Sequence, residues 1–541
     1  MNNQEHLPAP APRGERRILY NSDPSTIATQ ILPDQVESDH LRRLVDMLGD
    51  AGVDTLVQDA WNQGFTVYWS TAQLQYDQRP QHRRFLALLE RGIQPLQVML
   101  DRCRERGMTF LAGFRMNDTH DFPVYADFIQ SHPEFELEKR WNVLGIKRPP
   151  EAAINQGGKP LDFTHEPVRD FVHQAMACLL EDIEVDGIEM SFRDPGYFPV
   201  PSARDRLHLM SDLVRKARAT LDERGKVRGK RLLLGVRVFS SLDECLDLGL
   251  DVPTWMAESL IDYCVPMDVM YSDFNAEYAA FSALARDGAC RVYPGLHPWT
   301  SQRMRKQDGA MTLSMCRALA HTFYAGGADG IAPFNDFVGH LWKPPFYPHS
   351  LHWFHELRDP ERVAGGERHY VFDPTWGGVP FMGIDRSTSG ALKAQRVVLD
   401  RSAQQPAGTF RFLLYERMEQ VHHATLLLHG RGLTERDELA VSLNGNLLAE
   451  GPFGNADWRK RARFSSPVIA VNDPPGLQDR TGGPRSAAAR SVVNLRWFSL
   501  PPDAPAWGRN TLDITLTDPD LQSSGALILD EVEIWVQPKW C

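Results

Sequence analysis

Cysteine is scarce and unpaired in this sequence, with seven residues at 103, 178, 245, 264, 290, 316 and 541 and no CxxC spacing among them. A disulfide framework and a cysteine-based zinc cluster are therefore excluded, and scattered free thiols are expected. Long apolar runs are missing too. None approaches the roughly 18 residues a membrane-crossing helix requires, so no membrane partner is expected. Positive charge is in deficit: 59 Lys and Arg against 70 Asp and Glu give a formal net charge of -11. That balance argues against nucleic acid as a partner. No GxSxG elbow, P-loop or glycine-rich dinucleotide turn occurs, and no cofactor is expected. The first 17 residues, MNNQEHLPAPAPRGERR, lack the apolar centre of a secretory signal. A cytoplasmic location is the expectation, or secretion if a leader has been removed.

What the sequence does contain is length and alternation. A chain of 541 residues exceeds one core and implies about two to four domains. Residues 1–16, rich in Pro and polar side chains, read as a flexible tail. From there a short apolar run ending in polar residues, followed by an amphipathic helical stretch, recurs eight times. The runs are Ile18–Tyr20, Val53–Val57, Thr109–Phe114, Val185–Phe192, Leu232–Phe239, Ile261–Met267, Val292–Leu296 and Gly330–Phe334. Leu41–Leu48 and Pro167–Leu180 show the three-and-four spacing of helices, and Gly52, Gly107 and Gly326-Gly327 stand where helices should stop. Eightfold strand–helix alternation across 17–366 predicts a (β/α)8 TIM barrel. A doubly wound sheet is disfavoured, because Tyr20-Asn21-Ser22-Asp23-Pro24 does not form its phosphate turn.

After about residue 366 helical periodicity gives way to short alternating runs: Phe410–Tyr415, Ala424–His429, Leu439–Leu443, Leu512–Leu516, Ala526–Leu529 and Val532–Val536. Asn444-Gly445 is a strong hairpin signal. Residues 367–541 thus read as an antiparallel β-sandwich of jelly-roll type. Within it, 471–490, rich in Gly, Pro, Arg and Ser, reads as a long unstructured loop. Sandwich edges leave dimerisation open without establishing an oligomeric state.

Ligands of such a barrel meet the C-terminal strand ends. Those ends carry Tyr20, Asn21 and Asp23; Asp59, Trp61 and Asn62; Arg115, Asn117, Asp118, His120 and Asp121; Glu189, Ser191 and Arg193; Arg237; Asp268 and Tyr271; His297 and Trp299; and Asn335 and Asp336. In the fourth run, Gly187, Glu189, Ser191 and Arg193 share one face, opposite Ile188, Met190 and Phe192. Cleaving a glycosidic bond takes two carboxyls, one a proton donor and the other a nucleophile or base. Glu189 is the candidate donor: its apolar strand should favour the neutral acid, with Arg193 opposing. Its alternative is a structural ion pair with Arg193 or Arg237. Asp336, Asp268 and Asp118 are the candidates for the second carboxylate, each with helix capping or loop bonding as the alternative. Tyr20, Asn21, Trp61, Arg115, Asn117, Ser191, Arg193, Arg237, His297, Trp299 and Asn335 are the candidate substrate contacts. Tyr68 and Trp69 are further candidates for sugar platforms, with core packing as the alternative. Asp118-Thr119-His120-Asp121 lacks a second ligand cluster, and no metal is expected there.

At Asp186-Gly-Ile-Glu-Met-Ser-Phe-Arg-Asp-Pro195, Leu161–Arg169 and Phe114–Asp121 the sequence resembles the family-10-like glycosyl hydrolases, over roughly residues 17–360. The resemblance implies a (β/α)8 barrel that hydrolyses an oligo- or polysaccharide, with Glu189 at the acidic position. Ser191 stands where many relatives have Asp, so the second carboxylate must come from another strand. The seventh strand end has His297 and Trp299 in place of the Glu nucleophile of retaining barrels. Leu439–Leu448 and Trp507–Ile514 are similar to galactose-binding-like jelly rolls, which implies a carbohydrate-binding or bracing role for the sandwich. The departure at Ser191 keeps a non-catalytic carbohydrate-binding barrel as an alternative, and a carbohydrate lyase is a third.

Overall fold

The computed structural model describes residues 18–539, apart from 29–31, 62–64, 78–81, 119–125, 138–159, 194–195, 200–201, 268–270, 301–310, 335–348, 373–394 and 452–492. The tail at 1–16 and the loop at 471–490 lie outside the described residues. Chain contacts define two compact units. The first comprises 1–269, 277–297 and 326–358; the second comprises 270–276, 298–325 and 359–541.

The first unit is a parallel barrel. Its strands are β1 (Leu19–Ser22), β2 (Thr55–Trp61), β3 (Thr109–Arg115), β4 (Gly187–Ser191), β5 (Leu233–Val238), β6 (Tyr263–Pro266) and β7 (Arg291–Val292), paired in that order. β8 (Gly295–Leu296) continues the seventh run beyond Pro294, which has no N–H for the ladder. β8 pairs with β9 (Ala332–Pro333), and the Ile18–Ile331 bridge, with Leu19 N donating to Ile331 O over 3.0 Å, closes the ring. All eight strands expected from the sequence are present.

Helices fill the connections. Ser38–Asp50 buries Leu41, Leu44, Val45 and Leu48, the three-and-four stripe read from the sequence, and each burial contributes about 1.5–3 kcal/mol. It stops at Gly52, whose φ of 90° is one that L side chains rarely adopt. Leu19, Val57, Leu111, Tyr263, Val265, Met267, Tyr293, Ala332 and Phe334 pack as one cluster of buried side chains from the strands and strand ends of the ring.

The strand starts share a device. Ahead of every second strand stands an Asp that accepts an amide at the start of a neighbouring strand. Asp54 takes Ile18 N at 3.1 Å, Asp186 takes Phe110 N at 2.9 Å, Asp262 takes Leu234 N at 2.8 Å, and Asp329 takes Val292 N at 2.9 Å. Each also holds a cation: Arg358, Lys230, Arg218 with Arg231, and Arg291 respectively. These carboxylates staple strand starts, at the end of the barrel opposite the strand C-termini.

The second unit contains an antiparallel sandwich. One sheet has the order β10 (Arg368–Phe372), β18 (Ala526–Pro538), β13 (Val421–Arg431), β16 (Val493–Ser499), with β11 (Val397–Asp400) also on β18. The other has β12 (Ala407–Leu414), β17 (Gly508–Asp518), β14 (Glu438–Leu443), β15 (Asn446–Leu447). Phe372 and Phe412 meet at 4.9 Å between them. The Asn444-Gly445 turn has both φ angles positive, at 51° and 85°, as a type I′ hairpin requires. One expectation is corrected: Ala526–Leu529 and Val532–Val536 are a single strand. It pairs with β11 in its first half and with β10 in its second, and a register shift at His429/Gly430 of β13 absorbs the polar interval between the halves.

Candidate active site

Five adjacent barrel strands contribute one interior layer. The register sets Asp59 beside Gly113, Gly113 beside Glu189, Glu189 beside Gly235, and Gly235 beside Tyr263. Polar side chains alternate with glycines, and the glycines give them room to lie across the strands. A Cβ on Gly113 would stand 2.3 Å from Asp59 Oδ1, and one on Gly235 would stand 1.9 Å from the Tyr263 ring. Next toward the C-terminal rim, Arg115, Ser191 and Arg237 are in register.

Two buried arginines organise the carboxylates. Arg237 donates from Nε to Glu189 Oε1 over 2.8 Å and from Nη2 to Oε2 over 3.3 Å, and the Tyr263 hydroxyl donates to Oε2 over 3.0 Å. Both Glu189 oxygens thus act as acceptors in a fully buried pair. The guanidinium on Glu189 is that of Arg237 rather than of Arg193, the opponent that the sequence reading placed against proton donation. Glu189 is thus ion-paired with Arg237.

Arg115 holds three carboxylates. Its Nε reaches Asp59 Oδ2 at 2.9 Å, its Nη1 reaches Asp118 Oδ2 at 2.9 Å, and its Nη2 donates to Asp23 Oδ2. Asn21 Nδ2 donates to Asp59 Oδ1 over 3.1 Å. Three carboxylates around one guanidinium leave excess negative charge where little water can screen it. Burial pushes the Asp59 carboxyl from 3.8 up to about 6; the charges of Asp23 and Glu189 add to this, while Arg115 and Asn21 oppose it. Asp23 moves the other way. Burial would raise it, but Arg115, the Ser25 amide, His82 and Arg193 together hold it below its ordinary value.

Phe334, just past β9, lies beneath three cations. The Arg193 guanidinium is 4.7 Å from its ring centre, that of Arg237 5.6 Å and that of Arg115 6.0 Å, and the His297 ring is 5.1 Å away. Such contacts suit a desolvated cation over an aromatic face.

Of the residues expected from the sequence, Asn21, Arg115, Asp118, Glu189, Ser191, Arg193, Arg237 and His297 come together here. Asn117 instead fastens loops, exchanging hydrogen bonds with Leu161 and donating to Gly196 O. Two further candidates take other places. Tyr20 alternates with the inward Asn21 and packs its ring on Phe354 at 6.3 Å. Trp61 follows a register shift after Asp59 and is wholly buried among Phe65, Phe114 and Phe171. Tyr68 and Trp69 are buried too, bonded to Asp77 and Asp182. Trp299 and Tyr271 belong to the second unit, where Trp299 O accepts from Ser272 N. Asp268, Asn335, Asp336, Asn62, His120 and Asp121 lie outside the described residues. Asp23 and Asp59 stood among the strand-end residues, but only the Arg115 fork separates them from ordinary caps. Phe334 had no polar signal to single it out.

A closed parallel barrel with buried carboxylates and arginines toward its C-terminal rim defines a TIM-barrel protein with a polar site in the usual place. Within it, residues 25–203, carrying Asp59, Arg115, Asp118 and Glu189, match the model of the family Glycosyl hydrolase-like 10. No curated protein matches the sequence. Among solved structures the chain is similar to alpha-L-fucosidase isoenzyme 2 from Paenibacillus thiaminolyticus, with TM-score 0.41 and 10% identity over 66% of this chain and 51% of that one. It thus spans about half the length of that fucosidase. It is also similar to the PgaB (BpsB) glycoside hydrolase domain from Bordetella bronchiseptica, with TM-score 0.42 and 13% identity over 64% of this chain and 98% of that one. A third is the alpha-amylase from Geobacillus thermoleovorans complexed with acarbose, with TM-score 0.41 and 11% identity over 81% and 94%.

Proposed function

We propose that the barrel hydrolyses a glycosidic bond of an oligo- or polysaccharide, with Asp59 as acid/base and Asp23 as the carboxylate that stays ionised. One observation carries this reading: two buried carboxyls, Asp23 and Asp59, share the Arg115 guanidinium, in surroundings where burial pushes Asp59 up and the neighbouring cations hold Asp23 down. Paired carboxyls whose proton affinities diverge are the requirement for this chemistry. The match of residues 25–203 to a glycosyl hydrolase-like family supports the substrate class.

In the proposed reaction the Asp59 proton passes to the glycosidic oxygen, which takes the electron pair of the breaking bond to the anomeric carbon. The Asp23 carboxylate offsets the positive charge that develops on the sugar. Water then supplies the new oxygen, and its proton returns to Asp59. Glu189 acts as a positioning residue that fixes Arg237. Asn21 Oδ1, buried and without a hydrogen-bond partner among the described residues, is an acceptor for a sugar hydroxyl. Arg115, Arg193 and Arg237 favour an anionic or densely hydroxylated sugar.

The test is Asp59→Asn, assayed on aryl glycosides and an oligosaccharide panel with calorimetry for binding. Turnover should fall on the order of 10²–10⁴-fold while sugar binding persists. In the unmodified protein kcat/KM should fall as pH rises through about 6. Full turnover in Asp59→Asn, with loss in Glu189→Gln, would return proton donation to Glu189. A non-catalytic carbohydrate-binding barrel is favoured by one feature, the neutral Ser191 in register between Arg115 and Arg237. Sugar binding without any product would select it.

A further inference from the structure

The face of the β10–β18–β13 sheet opposite Phe372 carries an ionisable cluster remote in sequence from the barrel carboxylates. His429 of β13 is directly opposite Glu531 of β18, and Leu427 is opposite Glu533, so both glutamates emerge beside His429 on one face. Val371 also pairs with Glu533 and His369 with Trp535, which brings His369 onto the same face from β10. All four ionisable side chains are buried. His429 Nε2 lies 2.6 Å from Glu533 Oε1 and 3.7 Å from Glu531 Oε1. One ligand atom from each of the three falls within 4.8 Å of the others. The second Glu533 oxygen is 2.5 Å from His369 Nε2, and the His369 ring stacks on Trp535 at 3.8 Å.

We propose that His429, Glu531 and Glu533 bind a divalent first-row transition ion of the zinc class, with His369 orienting Glu533 from behind. One imidazole nitrogen and two carboxylates are a donor set for such an ion at about 2.0–2.2 Å, and imidazole disfavours magnesium or calcium. Two carboxylates, Glu531 and Glu533, meet in one buried place, where a dication offsets their charge. Removing those charges from water is otherwise unfavourable. A carboxylate ligand held by a hydrogen bond from a second residue is the usual support for a metal centre. The ion would lock β10, β18 and β13 together, as a structural site.

The full chain, treated with chelator and dialysed, is titrated with Co²⁺ and with Zn²⁺. The expected result is one equivalent of each, visible d–d absorption with Co²⁺ that Zn²⁺ displaces, and a rise in melting temperature on metal addition. Glu531→Gln, which leaves the His429–Glu533–His369 contacts intact, should weaken binding at least tenfold. His429→Gln should abolish the Co²⁺ spectrum. Absence of a stoichiometric Co²⁺ spectrum and of a melting shift in the unmodified protein would overturn the proposal, as would binding unchanged by Glu531→Gln. The cluster would then be an ion-pair network alone.

Discussion

Tyr263 donates its hydroxyl hydrogen to Glu189 Oε2 over 3.0 Å, across a strand on which the residue between them, Gly235, has no side chain. The Asp59–Gly113–Glu189 half of the same layer is built alike. Buried polar groups need partners, and Gly235 lets partners two strands apart meet. Burial and the neighbouring Glu189 charge push the Tyr263 hydroxyl well above its ordinary value, so it stays a donor at any working pH.

Gly235→Ala should therefore be costly. Its Cβ would fall 1.9 Å from the Tyr263 ring, which has no room to retreat in a filled barrel. Overpacking of this kind costs about 1–3 kcal/mol, and displacement of the Tyr263 hydroxyl from Glu189 adds to it. Urea denaturation should show a lower midpoint with an unchanged slope. An unchanged midpoint would mean that the layer is looser than its register indicates.

The Glu189–Arg237 pair invites a double-mutant cycle. Glu189→Leu alone strands a fully buried guanidinium, a loss of about 3–5 kcal/mol. Replacing both, as Glu189→Leu with Arg237→Met, removes the stranded charge and should recover most of that stability. Sugar binding should stay impaired in the double variant if Arg237 contacts substrate. Equal stability of the single and double variants would show that the barrel tolerates the unpaired cation.

Deleting residues 367–541 should yield an aggregating fragment. Segment 298–325 groups with the sandwich, and its helix Leu313–Ala325 buries Met315, Leu319 and Phe323. His321 Nδ1 lies 3.3 Å from the Tyr370 hydroxyl, which donates to Glu416 beside Arg368. A cut at 367 removes β10 and this network from a helix that stays behind. Gel filtration of residues 1–366 would test it, and a monodisperse monomer would contradict this reading.

The scaffold was legible because periodicity is a local property. Eight apolar runs, the stripe at Leu41, Leu44, Val45 and Leu48, and the matching Asp186-Gly-Ile and Asp329-Gly-Ile openings each sit within a few residues of sequence. The side of the fourth strand that faces inward was legible for the same reason. What escaped was pairing at a distance. Arg115 and Asp23 are 92 positions apart and Glu189 and Tyr263 are 74 apart, so nothing local tells whether a strand-end carboxyl meets a guanidinium, a tyrosine or water. Asp54, Asp186, Asp262 and Asp329 serve strand starts, whereas Asp23 and Asp59 gather at Arg115. Residue type alone does not separate the two groups.

That separation has a thermodynamic signature at Asp59. Folding raises its carboxyl from 3.8 to about 6, so the folded chain binds this proton more tightly than the unfolded one. Its contribution to stability is full below about pH 4 and is lost as pH rises through about 6. Asp59→Asn has no charge to desolvate, while Arg115 keeps Asp23 and Asp118. At pH 7.5 the variant should be more stable than the unmodified protein, by up to about 3 kcal/mol on the scale of 1.36 kcal/mol per pH unit. The difference should shrink toward zero near pH 4. Urea midpoints at the two pH values, alongside the turnover lost by the same variant, would reveal a carboxyl held at the expense of stability, as functional groups often are. A variant less stable at pH 7.5 would instead make Asp59 a structural partner of Arg115.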